Sequence, residues 1–270
     1  MATLMIKRNL KEVPAKFATN FTYTGESILE VESGQPQIKF LTSGKLTPKE
    51  DIYVDVFLVG GGGAGGANSY DVRAIGGGGG YTTTEKNVIL KSGEIYNIVV
   101  GAGDSSKAFG TTPSTSHRGG TSSAFGFDAI GGNSGTANGH GGSGGGGRGI
   151  GENGWGGDGG SDGSDGTSGY NSDEDRITPP QSGQGKTTRA FADKKGALFS
   201  GGGAGAGAAG TGEAGKGGGG GVVYDGVAGY FVYDGQPNTG GGGCGVVFEH
   251  IRNVSGAGGS GVVIIRKAAV

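Results

Sequence analysis

The sequence predicts an all-β protein: a jelly-roll-like β-sandwich carrying an inserted bundle of polyglycine-II helices, with almost no α-helix. Three observations lead there. Glycine supplies 69 of the 270 residues, against an average usage of about 7%. Apolar runs of strand length abut the glycine tracts directly. No stretch of ten or more residues shows the 3.6-residue apolar period of a helix.

The join of strand and glycine organises the chain. Residues 54–59, Val-Asp-Val-Phe-Leu-Val, run without a turn into the tract 60–66. The same join recurs reversed: 76–80 leads into 81–90, 217–221 into 222–224, 240–243 into 246–251, and 256–261 into 262–266. Glycine loses more backbone entropy on folding than any other residue, so such a composition needs a reason. A flexible linker is one, but linkers are serine-rich and sit between domains. The alternative is a polyproline-II-type helix, left-handed with three residues per turn and no internal hydrogen bonds. Its N–H and C=O groups point outward and must be satisfied by neighbours. Five residues span only about 15 Å at roughly 3.1 Å per residue, so one tract cannot stand alone. Side by side, tracts without side chains can bond to one another, and the sequence predicts that they do.

Hydrophobic residues make up 33% of the chain, below the roughly 45–50% of ordinary globular domains. The core is therefore small, and backbone bonding supplies the remaining order. A net charge of −2 offers no basic stripe for phosphates, which argues against a nucleic-acid partner. No apolar run approaches the ~18 residues of a membrane span, and residues 1–20 lack the apolar block of a signal peptide. The expectation is a soluble chain made in a cytoplasm, without membrane insertion. Cys244 stands alone in Gly-Gly-Cys-Gly, so there is no disulfide framework and a buried role is expected. Asn20-Phe-Thr22 and Asn253-Val-Ser255 match the glycosylation pattern without a secretion signal to support them.

Four regions follow in order. Residues 1–34 are poor in glycine and mixed in charge, either a docking arm or a loose terminus leading into a first strand at 27–32. Residues 35–130 form the first half of the sandwich. Ile38 and Phe40 alternate, Ser43-Gly44 and Thr47-Pro48 mark a turn, and the strand 52–59 is apolar on both faces and hence central. Residues 81–90 and 95–100 read as a hairpin around Ser92-Gly93, and 124–130 as one more short strand. Residues 131–221 are the glycine-helix region with exposed polar loops. Residues 222–270 return to strands at 222–224, 230–233, 246–251 and 262–266, forming the second half of the sandwich.

No enzyme chemistry is motivated, and no catalytic residue, metal site or cofactor is expected. Gly183-Gln-Gly-Lys-Thr-Thr188 has Pro180 where a phosphate-binding loop needs its first glycine, with no strand before it and no helix after. Asp158, Asp162 and Asp165 sit among glycines in the manner of a calcium loop. Asn171, Asp173 and Asp175 start an EF-hand pattern, but Arg176 replaces its glycine and Ser182 its final glutamate. Solvated turns explain both better. His117, His140 and His250 lack metal-helix spacing. The aromatics say more. Trp155 and Tyr170 lie in the most polar part of the chain, while Tyr224, Tyr230, Phe231 and Tyr233 cluster around two Asp-Gly turns. Aromatic rings on loops over a rigid base are what binding faces use. For 230–233 the competing reading is a strand with alternate rings in the core.

At Phe57-Leu-Val-Gly-Gly-Gly-Gly-Ala-Gly-Gly66, 76–81, Tyr96-Asn-Ile-Val-Val-Gly-Ala-Gly103 and Gly258-Gly-Ser-Gly-Val-Val-Ile-Ile-Arg266 the chain resembles the glycine-rich domains of bacteriophage tail and tail-fibre proteins. The tracts are also similar to those of the adhesins at the long-tail-fibre tips of T-even-like phages. More distantly they resemble the extracellular glycine-rich domain of anaplastic lymphoma kinase. The resemblance implies a receptor-binding adhesin on a virion, held by other tail or fibre proteins and touching a host cell-surface protein or glycan, with oligomerisation open. The loops 67–75, 104–118, 149–199 and 225–238 would face the host, and Trp155, Tyr170, Tyr224, Tyr230, Phe231 and Tyr233 would be the contact residues. The alternative is a structural virion part, such as a fibre spacer, tail-tip cap or capsid decoration. Two departures stand out. Residues 1–34 lack the aromatic-rich fibre-binding region of the T-even-like adhesins, and one cysteine cannot form a secreted receptor's disulfides.

Overall fold

The computed structural model describes residues 5–6, 17–32, 34–67, 74–107, 117–136, 138–149, 154–170, 180–207, 212–224, 230–246 and 254–269. The fold is all-β. The strands are β1 (Met5–Ile6), β2 (Phe21–Tyr23), β3 (Ser27–Glu32), β4 (Gln35–Phe40), β5 (Gly44–Pro48), β6 (Ile52–Val59), β7 (Thr82–Leu90), β8 (Tyr96–Ile98), β9 (Ser122–Ala124), β10 (Phe127–Ala129), β11 (Val222–Tyr224), β12 (Tyr230–Val232) and β13 (Val262–Lys267).

Strand β6 is the centre, as its two apolar faces predict. It lies between β13 and β7 in a six-stranded sheet ordered β1-β3-β4-β13-β6-β7. Its two-residue alternation sends Val54, Val56 and Leu58 to one face, with Leu29, Ile38, Phe40, Leu90, Val263 and Ile265. These meet Phe21, Leu46, Ile98, Ala124 and Ala129 from a second layer, made of the sheet β2-β5-β8 and the hairpin β9–β10. The opposite face, Phe57, Val59, Val262 and Ile264, is covered by Ala190, Phe191 and Phe199. Each large side chain so buried contributes about 1.5–3 kcal/mol.

Strand β13 comes from the far end of the sequence and runs antiparallel to both β4 and β6, with Ile264 opposite Lys39 and Phe57. The two ends of the chain are thereby stitched into one sheet. Several expectations are corrected. The strands 81–90 and 95–100 are no hairpin: β7 pairs with β6 and β8 with β5, so the chain crosses between layers at Ser92-Gly93. The stretch from Ser43 to Pro48, expected as a turn, is largely strand β5. The segment 124–130 belongs to a tight hairpin whose turn holds Phe125 and Gly126 at φ 57° and 87°. Among the described residues, strands β11 and β12 pair only with each other. The sandwich takes in β2 and β3, so it begins before residue 35. Of 246–251 only Val246 lies within the described residues.

The tracts are ordered, and their bonding repeats every third residue. Gly76 and Gly79 donate to Gly146 and Ser143, Gly77 and Gly80 to Gly243 and Gly240, and Gly78 and Tyr81 to Asn133 and Ile130, all at 2.8–2.9 Å. One tract thus serves three neighbours in turn, the signature of a three-residue helix of the polyproline-II type. The tract 201–206 repeats the pattern: Gly201 and Ala204 reach Gly217 and Gly220, Gly202 and Gly205 reach Gly160 and Gly157, and Gly203 and Ala206 reach Gly77 and Ala74. Ser255, Gly258 and Gly261 donate to Lys107, Asp104 and Gly101. The orphan backbone groups that made an isolated tract untenable are satisfied between tracts.

Close approach explains the residue choice. A Cβ on Gly65 would overlap the Cys244 carbonyl, and one on Gly203 would overlap that of Gly243. Where a side chain is admitted it is small and buried, as at Ala64, Ser134, Ser143, Ala204, Ala206 and Cys244.

Candidate functional site

The bundle has a direction. The tract 60–66 leaves the sandwich at the end of β6, and 240–246 runs parallel to it through bonds from Gly243 to Gly63 and from Val246 to Gly66. At the level of Gly66, Ala67 bridges Val246 in parallel, while the return tract 74–80 begins with Ile75 accepting from Gly66. Gly149 donates to Ala206 and Ala206 to Ala74 at the same level. Tract ends therefore gather at a tip remote from the sandwich. Phe17 and Ala268 lie together at the opposite end, where they line a cleft of about 480 Å³ with Gln35, Pro36, Glu50 and Lys267.

The tip carries the clearest candidate. Trp155 and Tyr170 form an antiparallel bridge, Trp155 N donating to Tyr170 O at 3.0 Å and Tyr170 N to Trp155 O at 2.9 Å. Both side chains are 53% exposed. Their backbones are held by the bundle, since Gly157 donates to Gly147 and accepts from Gly205. Phe231 and Tyr233 are also exposed, while Val232 between them is buried with Ala67, Ala204, Val222, Cys244 and Val246. Tyr224 and Tyr230 oppose one another in the β11–β12 ladder; their side chains lie outside the described residues. The predicted aromatics therefore form two groups. The tract 201–206 separates them, bonding to 157–160 on one side and to 217–220 on another.

The loop 149–199 needs correcting as a tip loop. Residues 190–199 fold back onto the sandwich through a 3₁₀ turn (Ala190–Ala192), with Phe191 and Phe199 against Phe57 at ring centroid distances of 5.9 and 5.4 Å. The backbone N–H of Ala197 donates to Glu32, and Lys39 pairs with Glu30 at 2.5 Å while lying over Phe199. Of the other predicted loops, 68–73, 108–116 and 225–229 lie outside the described residues, as do 150–153, 171–179 and His250.

The aspartates expected at turns each serve a different segment. Asp158 accepts from the Glu213 N–H at 2.7 Å, and Asp165 from that of Gly183 at 2.8 Å. Asp162 accepts from the Thr187 hydroxyl at 2.6 Å and from Arg189 Nε at 3.1 Å. Burial opposes its ionisation, but those hydrogen bonds and the Arg189 charge outweigh it and hold its carboxyl below the usual range. Among the described residues no three His, Cys, Asp or Glu side chains converge to hold a metal ion. The segment 183–188 is no phosphate cradle. Gln184 clamps it to β7, donating to Thr82 Oγ1 at 2.8 Å and accepting from the Thr82 N–H at 3.1 Å.

Two anchors escaped the sequence reading. Lys107 and Asp104 form a buried pair at 2.7 Å, and Lys107 N donates to Ser255 Oγ at 3.0 Å, tying 101–107 to the last tract. The i, i+3 spacing of opposite charges was its sequence signal. Asp55 and Arg266 pair across the centre of the main sheet at 3.2 Å. Only the strand register, which sequence does not show, brings them together.

Cys244 is buried, its Sγ 3.2 Å from the Tyr233 carbonyl, and burial pushes its thiol up to about 12. The thiolate is the reactive form. Native protein is therefore expected to react with a thiol-modifying reagent at least ~100-fold more slowly than denatured protein, limited by opening of the bundle. Prompt stoichiometric labelling of the native state would show that this packing is absent.

Fold and tip together define a class: an all-β sandwich from which a bundle of bonded glycine helices projects, presenting side chains at its end. The chain belongs to the glycine-rich domain family, whose model matches residues 42–268. Strands β1 to β4 all precede that match, yet β4 pairs directly with β13, so residues outside the family domain complete its sheet. No curated protein matches the chain. No helix among the described residues is long and apolar enough to cross a membrane.

Proposed function

We propose that this protein is a receptor-binding adhesin of a bacteriophage tail, made in the host cytoplasm and carried on the virion. The observation that carries the reading is the exposed Trp155–Tyr170 pair at the tip of a backbone-bonded bundle, remote from the end where Phe17 and Ala268 meet. Attachment to tail or fibre proteins through that base leaves the tip free. Membership of the glycine-rich family and the likeness to tail-fibre domains support the same reading. So does the division of labour within the bundle. Backbone bonds hold it together, so side chains at its tip can change without loss of the scaffold.

Purified protein is expected to bind cells of a susceptible strain and to block adsorption of the particle that carries it. Binding to no strain, with adsorption unaffected, would overturn the reading in favour of a structural virion part. Excising 149–199 is the wrong test, because it strips Phe191 and Phe199 from the sandwich. Trp155→Ala and Tyr170→Ala leave that face covered. They are expected to lower cell binding while particles still assemble; an assembly defect with unchanged binding would favour the structural alternative.

A further inference from the structure

We propose that Trp155 and Tyr170 form the floor of a saccharide platform, so that the host component met by the tip is a glycan. The inference rests on the adhesin reading above and narrows it to one ligand class. Because the two residues exchange both backbone hydrogen bonds, they are a directly opposed antiparallel pair. In such a pair the Cα atoms lie about 5.5 Å apart and both side chains leave on the same face. The two rings therefore rise side by side, each more than half exposed.

Their surroundings decide the ligand class. Trp155 is flanked by Gly154 and Gly156, and Tyr170 is preceded by Gly169, so these chain neighbours bring no side chain against either ring. Every other residue from 154 to 170 is glycine, aspartate, serine or threonine. A protein interface draws its energy from aromatic anchors set in pockets and ringed by further apolar contacts that exclude water. This segment offers no aliphatic side chain to build such a ring. A pyranose asks for what is present: a flat aromatic surface for its C–H face, and polar groups at the rim for its hydroxyls. Asp158 and Thr167 are exposed nearby, and Ser168 is half-exposed. The floor is also rigid. A Cβ on Gly156 would overlap the Gly205 carbonyl, so the backbone beneath Trp155 cannot be rebuilt without moving the next tract. Little side-chain or backbone ordering is then left to oppose binding.

Trp155 is the only tryptophan in the chain, so its emission reports on this site alone. Full-length protein is titrated with soluble bacterial surface polysaccharides: lipopolysaccharide O-chains, capsular polysaccharide and teichoic acid fragments from a strain that the protein binds. One class is expected to shift the emission to shorter wavelength and shield the indole from acrylamide. Trp155→Ala and Tyr170→Ala, each checked for an unchanged melt, are expected to weaken cell binding at least about tenfold. Cell binding should survive protease treatment of the cells and be lost after periodate. Binding lost to protease and indifferent to periodate overturns the glycan inference while the adhesin reading stands. Periodate-sensitive binding that both alanine variants retain places the glycan site elsewhere and overturns the platform. Absence of binding to any cells removes the adhesin reading and this inference with it.

Discussion

Gly65→Ala is expected to cost about 3 kcal/mol or more, and Gly221→Ala to be neutral or to stabilise by up to about 1 kcal/mol. The two substitutions add the same methyl group. At Gly65 the new Cβ falls on the carbonyl carbon and oxygen of Cys244. Backbone cannot rotate aside as a side chain can, so the tract must move away. Gly65 itself donates to Gly256, while its neighbours Gly63 and Gly66 donate to Gly78 and Ile75. Displacement therefore threatens bonds to two further tracts. Overpacking a core by a methylene costs about 1–3 kcal/mol, and broken backbone bonds add to that figure. At Gly221 the nearest atoms to the added Cβ are those of Ala214, at 3.7 and 3.8 Å, which is ordinary contact. There the methyl group mainly restricts the unfolded chain. Denaturant melts measure the difference, with amide exchange at Gly62, Gly77 and Gly203 reporting whether bundle protection is lost. Equal and small effects at both positions would mean that the tracts are not packed.

Arg266→Ala is expected to cost about 3–5 kcal/mol, because it leaves the Asp55 carboxylate buried without its cation. The side chains of Asp55 and Arg266 are only 9% and 13% exposed. Asp55 also accepts from the Asn87 N–H at 3.2 Å, where the β6–β7 register shifts and Asn87 takes φ 57°. One carboxylate thus holds a bulge on one side and an arginine on the other. The guanidinium lies 4.1 Å from the Phe191 ring centroid and pairs with Asp193, so it also pins the 190–199 cover. The Asp193 arm is 41% exposed and contributes little. Replacing both partners, Asp55→Asn with Arg266→Met, is expected to recover much of the loss, since no unpaired charge remains. A double-mutant cycle measures the coupling. A cost below about 1 kcal/mol for Arg266→Ala would show a pair solvated like an ordinary surface one.

Much of the framework was legible because it is local. The alternation in 52–59, apolar on both faces, announces a strand covered on both sides, and β6 is that strand. Glycine tracts fused to strands announce helices that must share hydrogen bonds, since nothing within a tract can satisfy them. Trp155 and Tyr170 announce themselves as rings in a stretch with no core to enter. Other readings failed where the answer depended on residues far away. Residues 81–90 and 95–100 are written like a hairpin, yet β7 pairs with β6 and β8 with β5, strands from distant parts of the chain that lie in different layers. Phe191 and Phe199 sit in a polar region that reads as loop, and only the second apolar face of β6 and β13, formed by Phe57, Val59, Val262 and Ile264, gives them a place to pack.

The all-β class, the central strand, the bonded glycine helices and the exposure of Trp155 and Tyr170 are written in local pattern. Period and composition carry those properties within a few residues. Tertiary structure alone decided that β13 enters between β4 and β6, which three neighbours each tract serves, and that Trp155 meets Tyr170. The physical reason is that a glycine tract has no side chains with which to mark its neighbours. Its partners are chosen by where the strands at its ends are held, and that is settled only when the whole sheet has closed.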